Sequence, residues 1–275
     1  MYTQLQQRDS AHPPITLNTL AQMRAAGEKI ACITAYDASF ATLVDMAGAD
    51  VVLVGDSLGM VIQGHDTTVP VTMDQMVYHS AAVARGLRHA FLMTDLPFAS
   101  YTSRDQALAN SVRLMQEGGA RMVKLESGAS QCEIVQHLVS HDIAVCAHLG
   151  LKPQSVHKTG GFRVQGREEQ AAARMIADAH ALEAAGADML LLECIPAELG
   201  REITRGVHVP VIGIGAGPHT DGQILVLYDV LDITAGRKPR FVRNFMSGAP
   251  SCEAAVASYV AAVRSGAYPA PEHCF

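Results

Sequence analysis

Short apolar runs alternate along this chain with stretches of helical composition, and that alternation limits its fold more than any other feature. The runs lie at 30–35, 51–54, 90–93, 122–125, 143–147, 189–192, 210–214 and 224–228. Each is four to six residues long, and several are rich in Val, Ile and Leu, as strands buried on both faces of a parallel sheet are. Between them, residues 73–86 follow Thr72-Met-Asp-Gln75, a capping-box pattern, and 104–117, 131–140 and the Ala-rich 168–185 also read as helices. Gly118, Gly119 and Gly186 stand where such helices stop. Strand and helix repeating in this way predict an α/β fold, a (β/α)8 barrel forming a single domain over 1–275, with a doubly wound open sheet as the structural alternative. The eighth strand is the least marked, and Phe241-Val242 competes with 224–228 for it. Residues 1–15 read as a flexible arm, and a helix from Thr16 to Ala26, closed by Gly27, is placed to plug one end of the barrel. Residues 250–265 read as a last helix, followed by an extension over 266–275 able to reach a neighbouring subunit. No internal repeat is evident.

Apolar residues make up 49% of the 275, enough to fill a large core, and nothing in the composition signals disorder. A net charge of −6 with no compensating basic run argues against a nucleic-acid surface, while leaving room for a small anionic substrate met by local cations or a metal. The six cysteines are scattered without a Cys-x-x-Cys pair, which predicts reduced thiols in a cytoplasmic protein. The first ten residues lack the apolar core of a signal peptide, and no apolar run approaches the roughly 18 residues of a membrane span.

Ionisable groups gather where the apolar runs end. In order these are Tyr36-Asp37, Asp56-Ser57, Thr94-Asp95, Lys124 with Glu126, His148 and Glu193, and then the glycines of Gly213-Ile-Gly-Ala-Gly217. Solvation alone would spread charge over the helices and both strand ends. In a barrel, carboxyl-terminal strand ends converge on one face and build the site. Asp56 and Asp95 are therefore candidate ligands for Mg²⁺, which takes oxygen donors and commonly one or two carboxylates. Asp56 or Ser57 reads equally as the cap of a following helix, and Asp95 as a cap before Leu96-Pro97. Lys124 and Glu126, two apart in a strand, share a face. Lys124 is placed to bind a substrate carboxylate and Glu126 to hold metal-bound water; a mutual ion pair is the structural alternative. His148 is a candidate hydrogen-bond donor to substrate or to metal-bound water, or a histidine satisfied by backbone. Glu193 follows three leucines, and the desolvation this implies raises a carboxylate's pKa and suits it to proton transfer. The glycines at 213, 215 and 217 read as places where backbone approaches a ligand. Residues 149–167 form the longest irregular stretch, a candidate lid, whose His157, Lys158, Arg163 and Arg167 either meet an anion or solvate the loop.

With these residues in place the sequence resembles the ketopantoate hydroxymethyltransferase family. The resemblance rests on Val54-Gly-Asp-Ser-Leu-Gly-Met60 with Gln63-Gly-His-Asp66, Asp95-Leu-Pro-Phe98, Met122-Val-Lys-Leu-Glu126, His148-Leu-Gly-Leu151 and Pro153-Gln-Ser155. It continues through Val164-Gln-Gly-Arg167, Leu192-Glu-Cys194, Ile212 to Gly217 and Thr220-Asp-Gly-Gln-Ile-Leu225, in order from about residue 16 to 247. The resemblance implies a Mg²⁺-dependent barrel related to the phosphoenolpyruvate mutase and isocitrate lyase barrels, assembled as a homodecamer. It implies transfer of a one-carbon unit from 5,10-methylenetetrahydrofolate to 3-methyl-2-oxobutanoate through a Mg-stabilised enolate, giving 2-dehydropantoate for pantothenate biosynthesis. Carried over by motif, Asp56 and Asp95 hold the metal together with Glu126, Ser57 and Lys124 bind the oxo acid, Glu193 moves the proton, and Glu126 and His148 line the site. The lid's His157-Lys158 and Phe162-Arg163 depart from the family pattern. A Mg²⁺-dependent carbon–carbon lyase or aldolase on 2-oxo acids, and a non-catalytic oxo-acid-binding barrel, are the alternative readings of the same residues.

Overall fold

Parallel strands cannot be joined by tight turns, so each apolar run must be followed by a crossover, which here is helical everywhere except between the seventh and eighth strands, where residues 215–221 form a loop. The computed structural model describes residues 13–236 and 238–275. Its strands are β1 (Ile30–Thr34), β2 (Val51–Val54), β3 (Phe91–Asp95), β4 (Met122–Glu126), β5 (Val145–Gly150), β6 (Met189–Glu193), β7 (Val211–Ile214) and β8 (Gly222–Leu225). Around them lie α1 (Leu17–Ala26), α2 (Ala38–Met46), α3 (Leu58–Val61), α4 (Met73–Gly86), α5 (Arg104–Gln116) and α6 (Cys132–Val139). The remaining helices are α7 (Val156–Thr159), α8 (Glu169–Ala184), α9 (Ala197–Gly206), α10 (Leu227–Val230) and α11 (Cys252–Ser265). The strands are all parallel and close in sequence order, with β8 returning to β1 from Ile30↔Gly222 to Ile33↔Leu225. The closed (β/α)8 barrel is the expected one, and the open sheet is excluded.

The strand ends differ from expectation in one consistent way. β3, β4, β5 and β6 run one to three residues further than the apolar runs, so Asp95, Glu126, His148 and Glu193 belong to the ladder itself. Their backbones stay paired through Asp95↔Lys124, Glu126↔His148 and Gly150↔Glu193. The eighth strand lies at 222–225 rather than 224–228, since Leu227 turns into α10, its N–H donating to Thr34 Oγ1 at 3.0 Å. Phe241-Val242 forms no strand.

Both ends of the chain serve to close the barrel. Residues 1–12 of the expected arm lie outside the described residues; beyond them, Ile15 donates its N–H to His89 O at 2.8 Å. Helix α1 begins at Thr16, whose hydroxyl caps Thr19 N, and buries Leu20 beneath the barrel. From its last turn Arg24 donates to Asp221 Oδ2 (2.9 Å) and to the carbonyls of Thr204 (3.0 Å) and His208 (2.7 Å), pinning α1 to the exit of α9. At the other terminus α11 covers the β1–β8 seam, where the Tyr259 hydroxyl lies 2.7 Å from Cys32 O and 3.0 Å from Gln223 O. The extension over 266–275 folds back on its own chain. Tyr268 Oη donates to Phe241 O at 2.6 Å, and Ala197 N–H donates to Phe275 O at 3.1 Å.

A short repeat, unexpected from the sequence, marks the amino-terminal face. Gly48-Ala49-Asp50 and Gly186-Ala187-Asp188 precede β2 and β6, and Gly119-Ala120-Arg121 precedes β4. Asp50 accepts from Ala31 N (2.8 Å) and Asp188 from Val145 N (2.9 Å). Asp221, before β8, accepts from Val211 N (2.9 Å) in the same way. Each carboxylate satisfies an N–H at the start of the preceding strand that has no neighbour there to bond it.

Candidate active site

At the carboxyl-terminal face the predicted acidic residues come together. Asp56 follows β2 and Asp95 ends β3, and Asp95 Oδ2 accepts the Asp56 N–H at 3.1 Å. Asp95 is therefore not the cap read as its alternative; the helix that follows is capped by Ser103, whose hydroxyl accepts from Gln106 N. Nor does Ser57 cap α3 through its side chain. Its Oγ lies 2.9 Å from the hydroxyl of buried Tyr36. Asp37, in contrast, is a helix cap, accepting from Phe40 N at 2.9 Å, and takes no part in the cluster.

Lys124 enters from β4 beside Asp95, and Nζ lies 2.8 Å from Asp95 Oδ1, with both side chains under a tenth exposed. The ion pair expected as an alternative for Lys124 thus forms with Asp95 and not with Glu126. Desolvation alone would lower the lysine, but the charges of Asp95 and Asp56 outweigh it and hold the ammonium above its ordinary value. Glu126 instead accepts the Gln154 N–H at 2.8 Å. His148 Nε2 lies 3.3 Å from Glu193 Oε2 without the geometry of a hydrogen bond, and neither ring nitrogen makes a well-formed hydrogen bond within the protein. Burial, then the Lys124 charge, push His148 well below its ordinary pKa, so the ring is neutral.

Burial raises the carboxylates in turn. It lifts Asp56 to about 7, with Asp95 adding to the effect, Glu126 to about 8 and Glu193 to about 7. Glu193's charge contributes to the rise of both Asp56 and Glu126, and Gln154 bonds to both of those carboxylates, at the end of the closed barrel where Glu193 also lies. A cluster of this kind is short of positive charge. Asp95 Oδ1 has no donor besides the Lys124 ammonium. Hard oxygen donors with acceptor capacity left over fit a hard divalent cation such as Mg²⁺. Among the described residues no three His, Cys, Asp or Glu side chains form an all-protein metal cage. Mg²⁺ needs none, since substrate and water complete its shell around one or two carboxylates.

Residues 149–167 are docked over these strand ends. Gly150 has φ +95°, and a Cβ there would stand 2.2 Å from Glu193 O, so only glycine lets the segment pass under β6. Leu151 N–H donates to Glu193 O at 2.8 Å and Gln165 N–H to Cys194 O at 2.9 Å. The glycines at 213, within β7, and at 215 and 217, after it, are closely packed by protein. The space at Gly213 is taken by Thr220, at Gly215 by Phe241 and Phe275, and at Gly217 by Ala197.

Sequence reasoning passed over two residues here, Gln154 and Tyr101, and placed Tyr36 at a strand end without giving it a task. Tyr36 orients Ser57, while Gln154 and Tyr101 are joined at 2.6 Å beside Asp56 and Glu126. Gln154 lies within one of the motifs quoted above, but nothing in its spacing marks it as part of the site.

The fold, a closed parallel barrel, is shared with solved members of the phosphoenolpyruvate mutase and isocitrate lyase superfamily. A solved 2,3-dimethylmalate lyase of that superfamily superposes with TM-score 0.57 at 17% identity, covering 76% of this chain and 80% of the other. A phosphonopyruvate hydrolase solved with oxalate and Mg²⁺ gives TM-score 0.59 at 13% identity, over 76% and 80%. The family is narrower than the fold. Residues 14–271 match the family model described as ketopantoate hydroxymethyltransferase. Relatives named 3-methyl-2-oxobutanoate hydroxymethyltransferase include one from Alkalilimnicola ehrlichii, 60% identical over 95% of each chain. Another, from Ralstonia nicotianae, is 55% identical over 98% of this chain and 97% of its own. The chain belongs to the ketopantoate hydroxymethyltransferase family and is a transferase.

Proposed function

We propose that this protein transfers a one-carbon unit from 5,10-methylenetetrahydrofolate to 3-methyl-2-oxobutanoate, giving 2-dehydropantoate for pantothenate biosynthesis. The observation that carries the reading is a desolvated carboxylate, Glu193, at the same end of the barrel as the Asp56–Asp95 pair. In this reading Asp56 and Asp95 would hold Mg²⁺, with Glu126 joining the metal set through bound water, while Ser57 and Lys124 receive the oxo-acid carboxylate. When bound, the cation supplies positive charge beside the keto oxygen that turns negative as the C3 proton leaves.

Glu193 takes the C3 proton. A carboxylate poised near 7 is half ionised at neutral pH and still basic enough to accept it, a balance an exposed glutamate at its ordinary value lacks. His148, neutral and 3.3 Å away, holds the Glu193 carboxylate toward the substrate without quenching its charge. Lys124 stays charged through its contact with Asp95, which suits it to bind an anion and leaves it poorly placed to form a Schiff base. C3 then bonds to the methylene carbon, water supplies the hydroxyl of the product, and as the two carbon–nitrogen bonds to the methylene break, tetrahydrofolate leaves with the protons given up by C3 and by water. The chain works as one barrel domain over 1–275, assembled as a homodecamer in the cytoplasm; sedimentation velocity checks the assembly and fractionation the compartment.

Exchange of the C3 proton of 3-methyl-2-oxobutanoate with solvent tests the chemistry. Exchange is expected with Mg²⁺ and without folate, and 2-dehydropantoate only when methylenetetrahydrofolate is added. Glu193→Gln is expected to bind the oxo acid but to exchange about 10²- to 10⁴-fold more slowly. Exchange at the unsubstituted rate in that variant removes Glu193 from the role. Cleavage of a carbon–carbon bond in place of folate-dependent product would move the protein to the lyase reading.

A further inference from the structure

Gln154 sits in the short 3-10 turn Pro153–Ser155 of the segment over the site and is only 6% exposed, although it is neither charged nor apolar. Its polar groups are all engaged. Nε2 donates to Asp56 Oδ2 at 2.8 Å and to Leu96 O at 3.0 Å. Its backbone N–H donates to Glu126 Oε1 at 2.8 Å, and Oε1 accepts from Tyr101 Oη at 2.6 Å. These partners determine which way the amide points. The Leu96 carbonyl can only accept, so the amide nitrogen must face it, and Tyr101 donates to the oxygen left on the other side. Gln154 therefore touches two of the three acidic residues together with the loop after β3, and Tyr101 locks its orientation.

We infer that Gln154 is a positioning residue for the carboxylates of Asp56 and Glu126, with Tyr101 holding its amide in the productive orientation. The inference rests on the proposed function, because it concerns how that reading's cation site is prepared. A carboxylate free to rotate about χ2 presents either oxygen or both to a cation. With Oδ2 bonded to the Gln154 amide, Asp56 presents its other oxygen, and the rotational freedom is lost before the ligand arrives. Glu126 is fixed by a backbone N–H of the same residue, so one turn sets both groups. That turn belongs to the segment tied to Glu193 O and Cys194 O. Correct seating of the segment and correct aim of the acidic groups are thereby made one event. Glutamine suits the position because it is long enough, uncharged, and both donor and acceptor. A glutamate there would set a further negative charge against Asp56 and leave the Leu96 carbonyl without its donor.

The test is a Mn²⁺ titration of the cation-free protein, run alongside C3 exchange. Gln154→Met keeps the length and removes the amide, and Tyr101→Phe keeps the ring and removes the donor. Gln154→Met is expected to weaken Mn²⁺ binding about 10-fold or more, the usual result of removing a group that orients a metal ligand. Tyr101→Phe is expected to weaken it by a smaller factor. In the double variant the Tyr101 effect should vanish, since Tyr101 acts through Gln154, whereas two merely structural losses would add. Mn²⁺ binding by Gln154→Met within twofold of the unsubstituted protein overturns the inference. So does a Tyr101→Phe effect that persists unchanged without the amide. Should Gln154→Met fail to fold, Gln154→Ala, which removes the amide and keeps the backbone N–H, runs the same cycle with Tyr101→Phe. Absence of Mn²⁺ binding and C3 exchange in the unsubstituted protein would overturn the proposed function and this inference with it; binding there, with no loss in the variants, overturns the inference alone.

Discussion

His148 is 2% exposed, its ring nitrogens lack well-formed protein partners, and burial keeps it neutral. A buried imidazole left this way is expensive to the fold unless something else uses it. Its neighbour is Glu193, at 3.3 Å, longer than a good hydrogen bond and short enough for a small rotation to make one. The ring is then a pre-positioned polar group, not a second base. His148→Leu is expected to slow C3 exchange by about 10²-fold, the loss typical of removing one such group, while oxo-acid affinity changes much less. Isotope exchange against a binding isotherm separates the two. A loss confined to affinity would make His148 a substrate contact with no hold on Glu193.

At the scale of elements the two faces of the barrel divide the labour. Carboxylates at the amino-terminal face hold strand starts together, and those at the carboxyl-terminal face make the site. Asp50 illustrates the first group: 4% exposed, it accepts from Ala31 N and meets half-exposed Arg264 at 3.1 Å. Asp50→Ala strands a buried N–H, so a loss of about 1–3 kcal/mol in urea unfolding is expected with turnover per folded molecule unchanged. Reduced turnover at full folding would mean the two faces are coupled. The same division explains what the sequence disclosed. Asp56, Asp95, Glu126, His148 and Glu193 are legible because a charge directly after a buried strand has few structural uses, and the closing of the barrel then gathers them. Asp95 and Asp37 looked alike in sequence, each an aspartate at a strand exit. Only the chain's path separates them, since Asp37 runs straight into α2 while Asp95 is still paired with β4. Gln154 was not legible, because its partners Asp56, Glu126 and Tyr101 lie 98, 28 and 53 residues away. An amide says nothing about its partners until the loop carrying it is placed. The Gly-Ala-Asp repeat was missed for a related reason: three residues recurring at long and unequal intervals show no period until the strands they precede stand side by side.

Over the whole molecule, the buried acidic rim ties stability to pH. Asp56, Glu126 and Glu193 have folded pKa values of about 7, 8 and 7, all raised by burial. In the unfolded chain they return to about 4. Below that both states carry the protons; between about 4 and 7–8 only the folded state does. The stability gained from holding them is therefore complete in acid and is lost as pH rises through 7–8, by up to about 1.4 kcal/mol per pH unit for each group while it remains protonated only in the fold. His148 acts in the opposite sense. Its depressed pKa means the unfolded chain alone takes up that proton below about 6.5, so its penalty applies in acid and is gone above that point. Lys124, raised, exerts no influence until the pH nears the ordinary lysine value. From pH 6.5 to 8.5 the carboxylates act without opposition, and the melting temperature of the cation-free protein is expected to fall across that window. A cation that binds the ionised cluster stabilises the fold by mass action, and more strongly where no proton has to be displaced. Added Mg²⁺ should therefore raise the melting temperature more at pH 8.5 than at 6.5, and should lose that pH dependence in Asp56→Asn. Calorimetry with a chelator and with Mg²⁺ reads both effects. A melting temperature that climbs with pH under chelation would mean the three carboxyls are already ionised in the empty fold, and the rim would then need its positive charge from within the protein.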